Sequence, residues 1–197
     1  MYARKDKMHG QLPLFAAPAS LPEGFRYQPD LISADEERML VERIEDLPFK
    51  EFEFHGFLGK RRVVAFGWKY DYGERTLRRS DDIPDFLEPL REKAARFAGQ
   101  PASALQQALV TEYGPGVSIG WHRDKPVFGE VIGVSLLSAC VFRLRKKTGT
   151  TWQRSSLTVE PRSAYLLKGP SRTDWEHSIP SVERLRYSVT FRNFKAG

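Results

Sequence analysis

Apolar residues recur at helical spacing in two segments of the first half of the chain. In the first segment, Ser33 and Glu36 form the sequence signature of a capping box, which opens a helix. The apolar residues that follow share one helical face: Met39, Leu40, Ile44 and Leu47. The second segment has Pro84 near its start and Gly99 at its end, and its apolar face comprises Phe86, Leu87, Leu90, Ala94 and Phe97. The pattern therefore predicts two helices before the middle of the chain.

The rest of the chain shows patterns typical of β-strands. Phe52 and Phe54 alternate and residues 63–68 are β-rich, which predicts a strand pair between the two helices. From Ala108 onward β signals dominate, with turns at residues 114–116, 146–150 and 169–170. We predict an α+β domain over residues 26–197. Its core is a double-stranded β-helix (the jelly-roll fold) with two N-terminal supporting helices and a β-strand substrate lid.

Residues 1–25 have no periodicity and contain several prolines, which predicts a mobile N-terminal tail. No apolar run approaches the ~18 residues that span a bilayer, and no secretory signal is visible, so we expect a cytoplasmic monomer without a membrane anchor. The single cysteine, Cys140, stands in an apolar run and is expected to be a buried thiol. The formal net charge of +6 is compatible with a nucleic-acid partner.

Residues 113–124, YGPGVSIGWHRD, supply two candidate metal ligands at their end, His122 and Asp124. Side chains two residues apart on a strand project to the same face. The chain has four histidines, and His177 lies in a strand-rich region that can return beside this pair. Two histidines and one carboxylate form the facial triad of non-haem Fe(II) oxygenases. Because an H-x-D triplet is common by chance, the hypothesis depends on a third segment.

That third segment, RLRYSVTFRNF, contains Arg186 and Arg192, six residues apart. An even spacing places both guanidinium groups on one face of an extended strand. Two inward-facing arginines are costly unless an anion neutralises them, and arginine grips carboxylates through paired hydrogen bonds. A dicarboxylate such as 2-oxoglutarate is therefore a suitable ligand for the pair.

The motifs YGPG, HRD, WEHSIP and RYSVTFR, in this order, resemble the AlkB family of Fe(II)- and 2-oxoglutarate-dependent dioxygenases. The resemblance covers roughly residues 21–194. Residues 61–73 resemble the substrate-lid strands of that family, and residues 83–99 resemble the helix that precedes its catalytic barrel. The resemblance implies bound Fe(II), with 2-oxoglutarate and O2 as cosubstrates.

The resemblance also assigns roles to single residues. It makes His122, Asp124 and His177 the iron ligands. The residues expected to bind 2-oxoglutarate are Thr111, Tyr113, Arg186, Ser188, Thr190 and Arg192. Thr111 and Ser188 replace residues that are commonly Asn in the family, and both keep a small polar group. Tyr113 has an alternative interpretation as an ordinary core aromatic residue.

Aromatic and basic lid residues of the family grip a nucleotide that has left its stack. The residues expected to contact substrate here are Arg61, Arg62, Phe66, Trp68, Lys69, Tyr70, Tyr72, Lys125 and Glu130. Their alternative role is a strand pair with a solvated basic face. Pro126 stands where nucleobase demethylases of the family often carry an acid, and Glu130 replaces that acid only if the loop folds back.

The resulting prediction is the oxidative N-demethylation of alkylated DNA or RNA, in DNA repair. One alternative is an oxygenase of the same family that acts in RNA modification or on protein, because LLKGPSRTDWEH also resembles such branches. Two others are a non-catalytic nucleic-acid-binding jelly roll and a sugar-binding or isomerase-type cupin. A pure binding protein has no use for the predicted iron and arginine set, and a cupin does not explain the paired arginines.

The pentapeptide QLPLF, from Gln11 to Phe15, resembles the short peptide by which bacterial DNA enzymes dock on the replication sliding clamp. Two apolar anchors and a glutamine amide on a mobile tail suit a groove-binding peptide. The segment has an alternative role as a peptide that folds back on the domain.

Overall fold

Two antiparallel β-sheets form the body of the protein. The computed structural model describes residues 21–54, 57–71, 73–74 and 76–195. Its strands are β1 Phe25–Gln28, β2 Lys50–Phe54, β3 Phe57–Phe66, β4 Trp68–Asp71, β5 Thr76–Arg79, β6 Gln107–Tyr113, β7 Ile119–His122, β8 Phe128–Leu136, β9 Cys140–Thr148, β10 Thr151–Val159, β11 Ala164–Leu167, β12 Glu176–Ile179 and β13 Arg186–Phe194. Its helices are α1 Ala34–Glu45, α2 Glu88–Ala98 and the short α3 Pro170–Thr173, with single 3₁₀ turns at Asp85–Leu87 and Ala102–Ala104.

The two sheets confirm the predicted jelly-roll fold. The major sheet has the strand order β1-β11-β8-β13-β6-β3-β2, and the minor sheet has the order β10-β9-β12-β7. Side chains of both sheets meet in one buried cluster, where Tyr113 and Val131 of the major sheet share a core with Phe142, Leu144 and Ile179 of the minor sheet. The β4–β5 hairpin is a separate two-stranded sheet, and it corresponds to the predicted lid.

The two predicted helices are confirmed, and both pack on the outer face of the major sheet. Ser33 Oγ accepts from the Glu36 amide over 3.2 Å, and Glu36 Oε2 accepts from the Ser33 amide over 2.8 Å, so the capping box is present. Lys93 of α2 donates to Glu36 over 2.5 Å, and mainly through this contact the pKa of Glu36 falls to about 2. Met39 does not belong to the apolar face as predicted, because it is 66% exposed and Val41 is buried instead.

A single strand separates the two cores of the molecule. On β13, Tyr187, Val189 and Phe191 point toward the helices and belong to the core beneath them. Strand alternation directs the residues between and around them to the opposite face. Those residues are buried as well, but they are polar: Arg186, Ser188, Thr190 and Arg192. The space between the two sheets therefore receives a row of polar side chains from the centre of the major sheet.

The folded domain begins slightly before the predicted boundary. Phe25, assigned to the tail, is the first residue of β1, which pairs with β11. Its ring is buried and lies parallel to that of Tyr165, with centroids 6.3 Å apart. Tyr72 and the QLPLF segment lie outside the described residues. The expected burial of Cys140 is confirmed. Among the helices that the structure describes, none is long and apolar enough to cross a membrane.

Candidate active site

The three predicted metal ligands converge between the sheets. His122 ends β7 and lies directly opposite His177 of β12, so strand pairing alone places the two rings side by side, with centroids 4.2 Å apart. Asp124 lies just beyond the end of β7, and its Oδ2 is 3.8 Å from His177 Nε2. One ligand atom from each residue falls within 4.8 Å of the others. This spacing fits three ligands around one ion.

Both histidines are held in the neutral form that binds metals. Burial lowers the pKa of His122, and burial together with the neighbouring His122 lowers the pKa of His177 to about 3. His122 Nδ1 lies 2.9 Å from the carbonyl oxygen of Gly120. This contact favours the tautomer with its hydrogen on Nδ1, which leaves the Nε2 lone pair available for a metal.

Arg192 fixes the carboxylate of Asp124. Its Nε and Nη2 donate to Asp124 Oδ1 over 2.9 and 2.6 Å, and its Nη1 donates to Gln107 Oε1 over 3.0 Å. Burial alone would raise the pKa of Asp124, but the charge of Arg192 holds it well below its usual range. The carboxylate is therefore ionised, with Oδ1 held by the arginine and Oδ2 directed toward the histidines. Gln107 was not predicted from the sequence.

Arg186 is fully buried and lacks partners for part of its guanidinium group. Its exposure is 0%, and its Nε and Nη1 have no hydrogen-bond partner among the described residues. Its Cζ lies 5.1 Å from the ring centroid of Tyr113, the residue opposite it on β6. An unpaired buried guanidinium costs several kcal/mol, roughly the scale of a lost ion-pair partner. The site is thus incomplete without an anion, and one carboxylate of 2-oxoglutarate fits that requirement.

The other predicted cosubstrate residues lie on the same inner face. Ser188 is directly opposite Thr111, and both are buried, as are Tyr113 and Thr190. Two further hydroxyl groups face this space and were not predicted. Ser135 lies opposite Ser188 on β8, and Ser155 lies on β10; each has a buried Oγ without a partner among the described residues. Ser135 alternates with apolar residues along β8. This pattern is the sequence signal that could have identified its inward-facing hydroxyl group.

Three of the predicted substrate residues, Arg61, Tyr70 and Lys125, lie close to the candidate metal ligands. Lys125 follows Asp124 in the chain, and its Nζ lies 4.9 Å from the ring centroid of Tyr70 on β4. The charge of Arg61 contributes to the lowered pKa of His122. Trp68 packs edge-on against Phe194 at 5.5 Å, and Lys69 is exposed on the alternate face of β4. The hairpin therefore borders the site from one side.

Three predicted substrate contacts lie elsewhere. Phe66 is buried in the core under the helices, so its assignment to the substrate was wrong. Arg62 lies on the outer face of β3, where it forms two 2.7 Å hydrogen bonds to Glu112. Glu130 pairs with Lys168 at 2.7 Å instead of replacing the missing acid at Pro126. Arg62 and Phe66 share one face of β3, and the sequence does not indicate that this face lies away from the candidate metal ligands.

The fold and this set of side chains define the class of protein. The family model described as the 2OG-Fe(II) oxygenase superfamily matches residues 24–192. The chain belongs to this superfamily. The donor set of the site agrees with it: two neutral histidines and an ionised carboxylate fit Fe(II), and the unsatisfied Nε and Nη1 of Arg186 fit 2-oxoglutarate.

Similar proteins confirm the resemblance to the AlkB family. The alkylated DNA repair protein ALKBH8 homolog of Arabidopsis thaliana is 29% identical over 191 residues, which cover 84% of this chain and 54% of that protein. The mouse tRNA (carboxymethyluridine(34)-5-O)-methyltransferase ALKBH8 is 30% identical over 169 residues, which cover 81% of this chain and 24% of that protein. The chain thus spans about half or less of these relatives. The solved structure of OsALKBH1 has the same fold, with a TM-score of 0.69 at 16% identity, covering 88% of this chain and 98% of that one.

The first prediction concerns the metal ligands. His122→Ala, Asp124→Ala and His177→Ala should each abolish 2-oxoglutarate turnover, because two remaining ligands hold Fe(II) poorly. The histidine variants should remain folded, whereas Asp124→Ala should lose stability because Arg192 is left unpaired. Succinate formation and Fe(II) binding are the measurements, with Asp46→Ala at the exposed end of α1 as the control. Near-normal turnover in any of the three ligand variants would contradict the assignment.

The second prediction separates the roles of the two arginines. Arg186→Lys keeps the charge but loses the planar fork, so 2-oxoglutarate affinity should fall by about 2–5 kcal/mol while Fe(II) affinity is retained. Arg192→Lys should lower both the 2-oxoglutarate affinity and the Fe(II) affinity, because Arg192 also holds the candidate metal ligand Asp124. Titration of each ligand by calorimetry measures this, with the exposed Arg38→Lys as control. Equal 2-oxoglutarate affinity in wild type and Arg186→Lys would disprove the role of Arg186.

Proposed function

We propose that this oxygenase carries out the oxidative dealkylation of alkylated nucleic acid, with DNA as its substrate. The observation that supports this most is the position of the lid beside the metal centre. Tyr70 packs against Lys125, which is the residue after the ligand Asp124. An aromatic ring and a cation at the mouth of the site are the groups that hold an unstacked base and its phosphate.

A groove beside the metal centre extends this surface. Its volume is about 740 Å³, and it opens next to Asp124. The basic residues that line it are Arg123, Lys125, Lys168, Arg172 and Lys195. Glu130 pairs with Lys168, and Arg172 anchors the loop by donating through Nη2 to the carbonyl oxygens of Lys125 and Phe128 over 2.7 and 2.8 Å. The excess of positive charge suits a sugar-phosphate backbone.

The residues of the chain supply binding and orientation for the reaction. When bound, Fe(II) with 2-oxoglutarate and O2 supplies an oxidant that hydroxylates a nearby C–H bond, and a hydroxylated N-methyl group then separates as formaldehyde. Arg192 keeps Asp124 ionised and directed toward the histidines. Arg186 is placed to neutralise a carboxylate of the cosubstrate. The lid would hold the base at Tyr70 and Lys125, on the side of the site next to the candidate ligand Asp124.

The names of the relatives support nucleic acid but point to two polymers. The Arabidopsis relative is named for the repair of alkylated DNA, and the mouse relative is named for a tRNA modification. Oxidation of a modified RNA base is therefore the second candidate. Formaldehyde release from methylated DNA, methylated RNA and methylated protein distinguishes them. Release from DNA supports the proposal, and release from RNA or protein alone overturns the choice of DNA.

The third prediction concerns the lid. Trp68→Ala and Tyr70→Ala should each weaken the binding of a methylated oligonucleotide by about 1–3 kcal/mol, because a stacking surface is lost. Tyr70→Phe keeps the ring and is the matched control. Turnover of 2-oxoglutarate without substrate should be unchanged, since neither residue is a metal ligand. Oligonucleotide affinity across a salt series is the measurement, and a wild type that binds no nucleic acid at low salt would contradict the lid assignment.

The fourth prediction concerns the segment from Gln11 to Phe15, which we propose docks on the bacterial sliding clamp. Such a partner would bring a cytoplasmic repair enzyme to DNA. Leu14→Ala and Phe15→Ala should each abolish binding to purified clamp, because each removes an apolar anchor. Met8→Ala, outside the pentapeptide, is the control. Surface plasmon resonance with the full chain measures the effect, and clamp binding that survives both anchor substitutions would reject the docking peptide.

A further inference from the structure

The outer face of the minor sheet carries a row of tryptophan and arginine side chains. On β9, Phe142 and Leu144 point between the sheets, so Arg143, Arg145 and Lys147 point outward. In the adjacent strand, Trp152 lies opposite Lys147, and Arg154 lies opposite Arg145. Trp121 of β7 completes the row on the other side. We call the surface formed by Trp121, Arg143, Arg145, Trp152 and Arg154 the tryptophan–arginine platform.

Four of the five platform side chains, those of Trp121, Arg143, Arg145 and Trp152, are held by contacts with one another or with β12. Arg145 lies between the two indoles, with its Cζ 4.4 Å from the ring centroid of Trp121 and 4.2 Å from that of Trp152. Its Nε donates to Glu176 Oε2 over 2.6 Å. Arg143 lies 5.1 Å from the Trp121 centroid and donates through Nε to Ser178 Oγ over 3.1 Å. A surface ordered in this way loses little side-chain entropy when a ligand stacks on it.

The charge of this surface is strongly one-sided. The β9–β10 hairpin contains five basic residues and no acid: Arg143, Arg145, Lys146, Lys147 and Arg154. On the platform itself Glu176 is the neighbouring acid, while Lys146 pairs with Asp174 at 2.7 Å. A ligand that binds this surface stably must therefore be anionic. The N-terminal segment of the chain is a poor ligand for this basic surface, because it is itself basic: Arg4, Lys5 and Lys7 outnumber Asp6.

The platform is open to a partner. The helices α1 and α2 pack on the major sheet, and Trp152 is 36% exposed on the opposite side of the molecule's core. The exposed indole ring of Trp152 and the half-buried ring of Trp121, flanked by guanidinium groups, suit a ligand that offers both flat rings and negative charge. A single-stranded nucleic acid provides both, since its bases stack on aromatic rings and its phosphates pair with cations.

The platform also lies on the reverse side of the strands that hold the metal ligands. Trp121 directly precedes His122, and Glu176 directly precedes His177. At the edge of the sheet, the exposed Arg123 donates to the carbonyl oxygen of Thr173 over 3.1 Å and also lines the groove beside Asp124. The basic surface therefore runs from that groove around β7 to the platform. One single-stranded nucleic acid can therefore occupy both the groove and the platform.

We infer that the tryptophan–arginine platform binds the single-stranded DNA that flanks the base held at the metal centre. The identity of the polymer rests on the proposed function, while the platform itself rests on its own geometry and charge. The prediction is that Trp152→Ala and Arg154→Glu each weaken binding of an unmethylated single strand of about 20 nucleotides by about tenfold. Arg154→Glu should also reduce the dependence of log affinity on log salt by about 0.7 or more.

The variants are chosen so that the metal site is untouched. Trp152 and Arg154 lie on β10, which does not contain a metal ligand, whereas Trp121 and Glu176 adjoin the histidines. Trp152→Phe keeps a stacking ring and should bind nearly as well as wild type. Arg38→Glu makes the same charge change on exposed α1 and is the matched control. Equal affinity of wild type, Trp152→Ala and Arg154→Glu would overturn the platform.

A second measurement separates the platform from the proposed function. For a methylated trinucleotide, which is too short to reach the platform, both variants should release formaldehyde with wild-type KM, whereas KM for the longer strand should rise about tenfold. A wild type that oxidises no methylated DNA would refute the proposed function, and the binding series would still decide on the platform. Tighter binding of RNA than of DNA of the same sequence, lost equally in both variants, would overturn the assignment to DNA.

Discussion

The buried ion pair between Arg192 and Asp124 is the contact on which the candidate metal site depends. It joins β13, at the centre of the major sheet, to the loop that follows β7 in the minor sheet. A carboxylate buried between two sheets would otherwise take up a proton, because burial raises its pKa. The arginine reverses that tendency and restrains one oxygen, so the other is directed toward His177. One contact thus sets both the charge and the orientation of the ligand.

The same requirement for charge neutralisation explains why the barrel needs its cosubstrate. Arg192 has an anion within the chain, but Arg186 has none for Nε and Nη1 among the residues described. The unsatisfied hydroxyl groups of Ser135 and Ser155 face the same space. A protein core normally pairs its buried polar groups. A dicarboxylate that met these groups would stabilise the fold as well as take part in the reaction, because binding to the native state alone shifts the folding equilibrium.

Much of this architecture was predictable because strand alternation is a local property. The shared face of Arg186 and Arg192 followed from their even spacing, and the pairing of His122 with His177 followed from the scarcity of histidine. What alternation cannot give is the identity of the face that a strand buries. Phe66 and Arg62 share a face of β3, but that face lies toward the helices and away from the candidate metal ligands. Gln107 escaped prediction for a related reason, since its role depends on pairing β6 with β13.

The distribution of charge on the surface determines the side from which a polyanion approaches the protein. Helix α1 carries five acids and two arginines, and it covers the major sheet on the side away from the metal ligands. The charged residues of the β9–β10 hairpin are all basic, and five of the seven charged residues that line the groove at Asp124 are basic. A polyanion is therefore repelled by one side of the molecule and attracted to the other. The formal net charge of +6 matters less than this asymmetry, which favours encounters at the face where the metal ligands and the platform share the same strands.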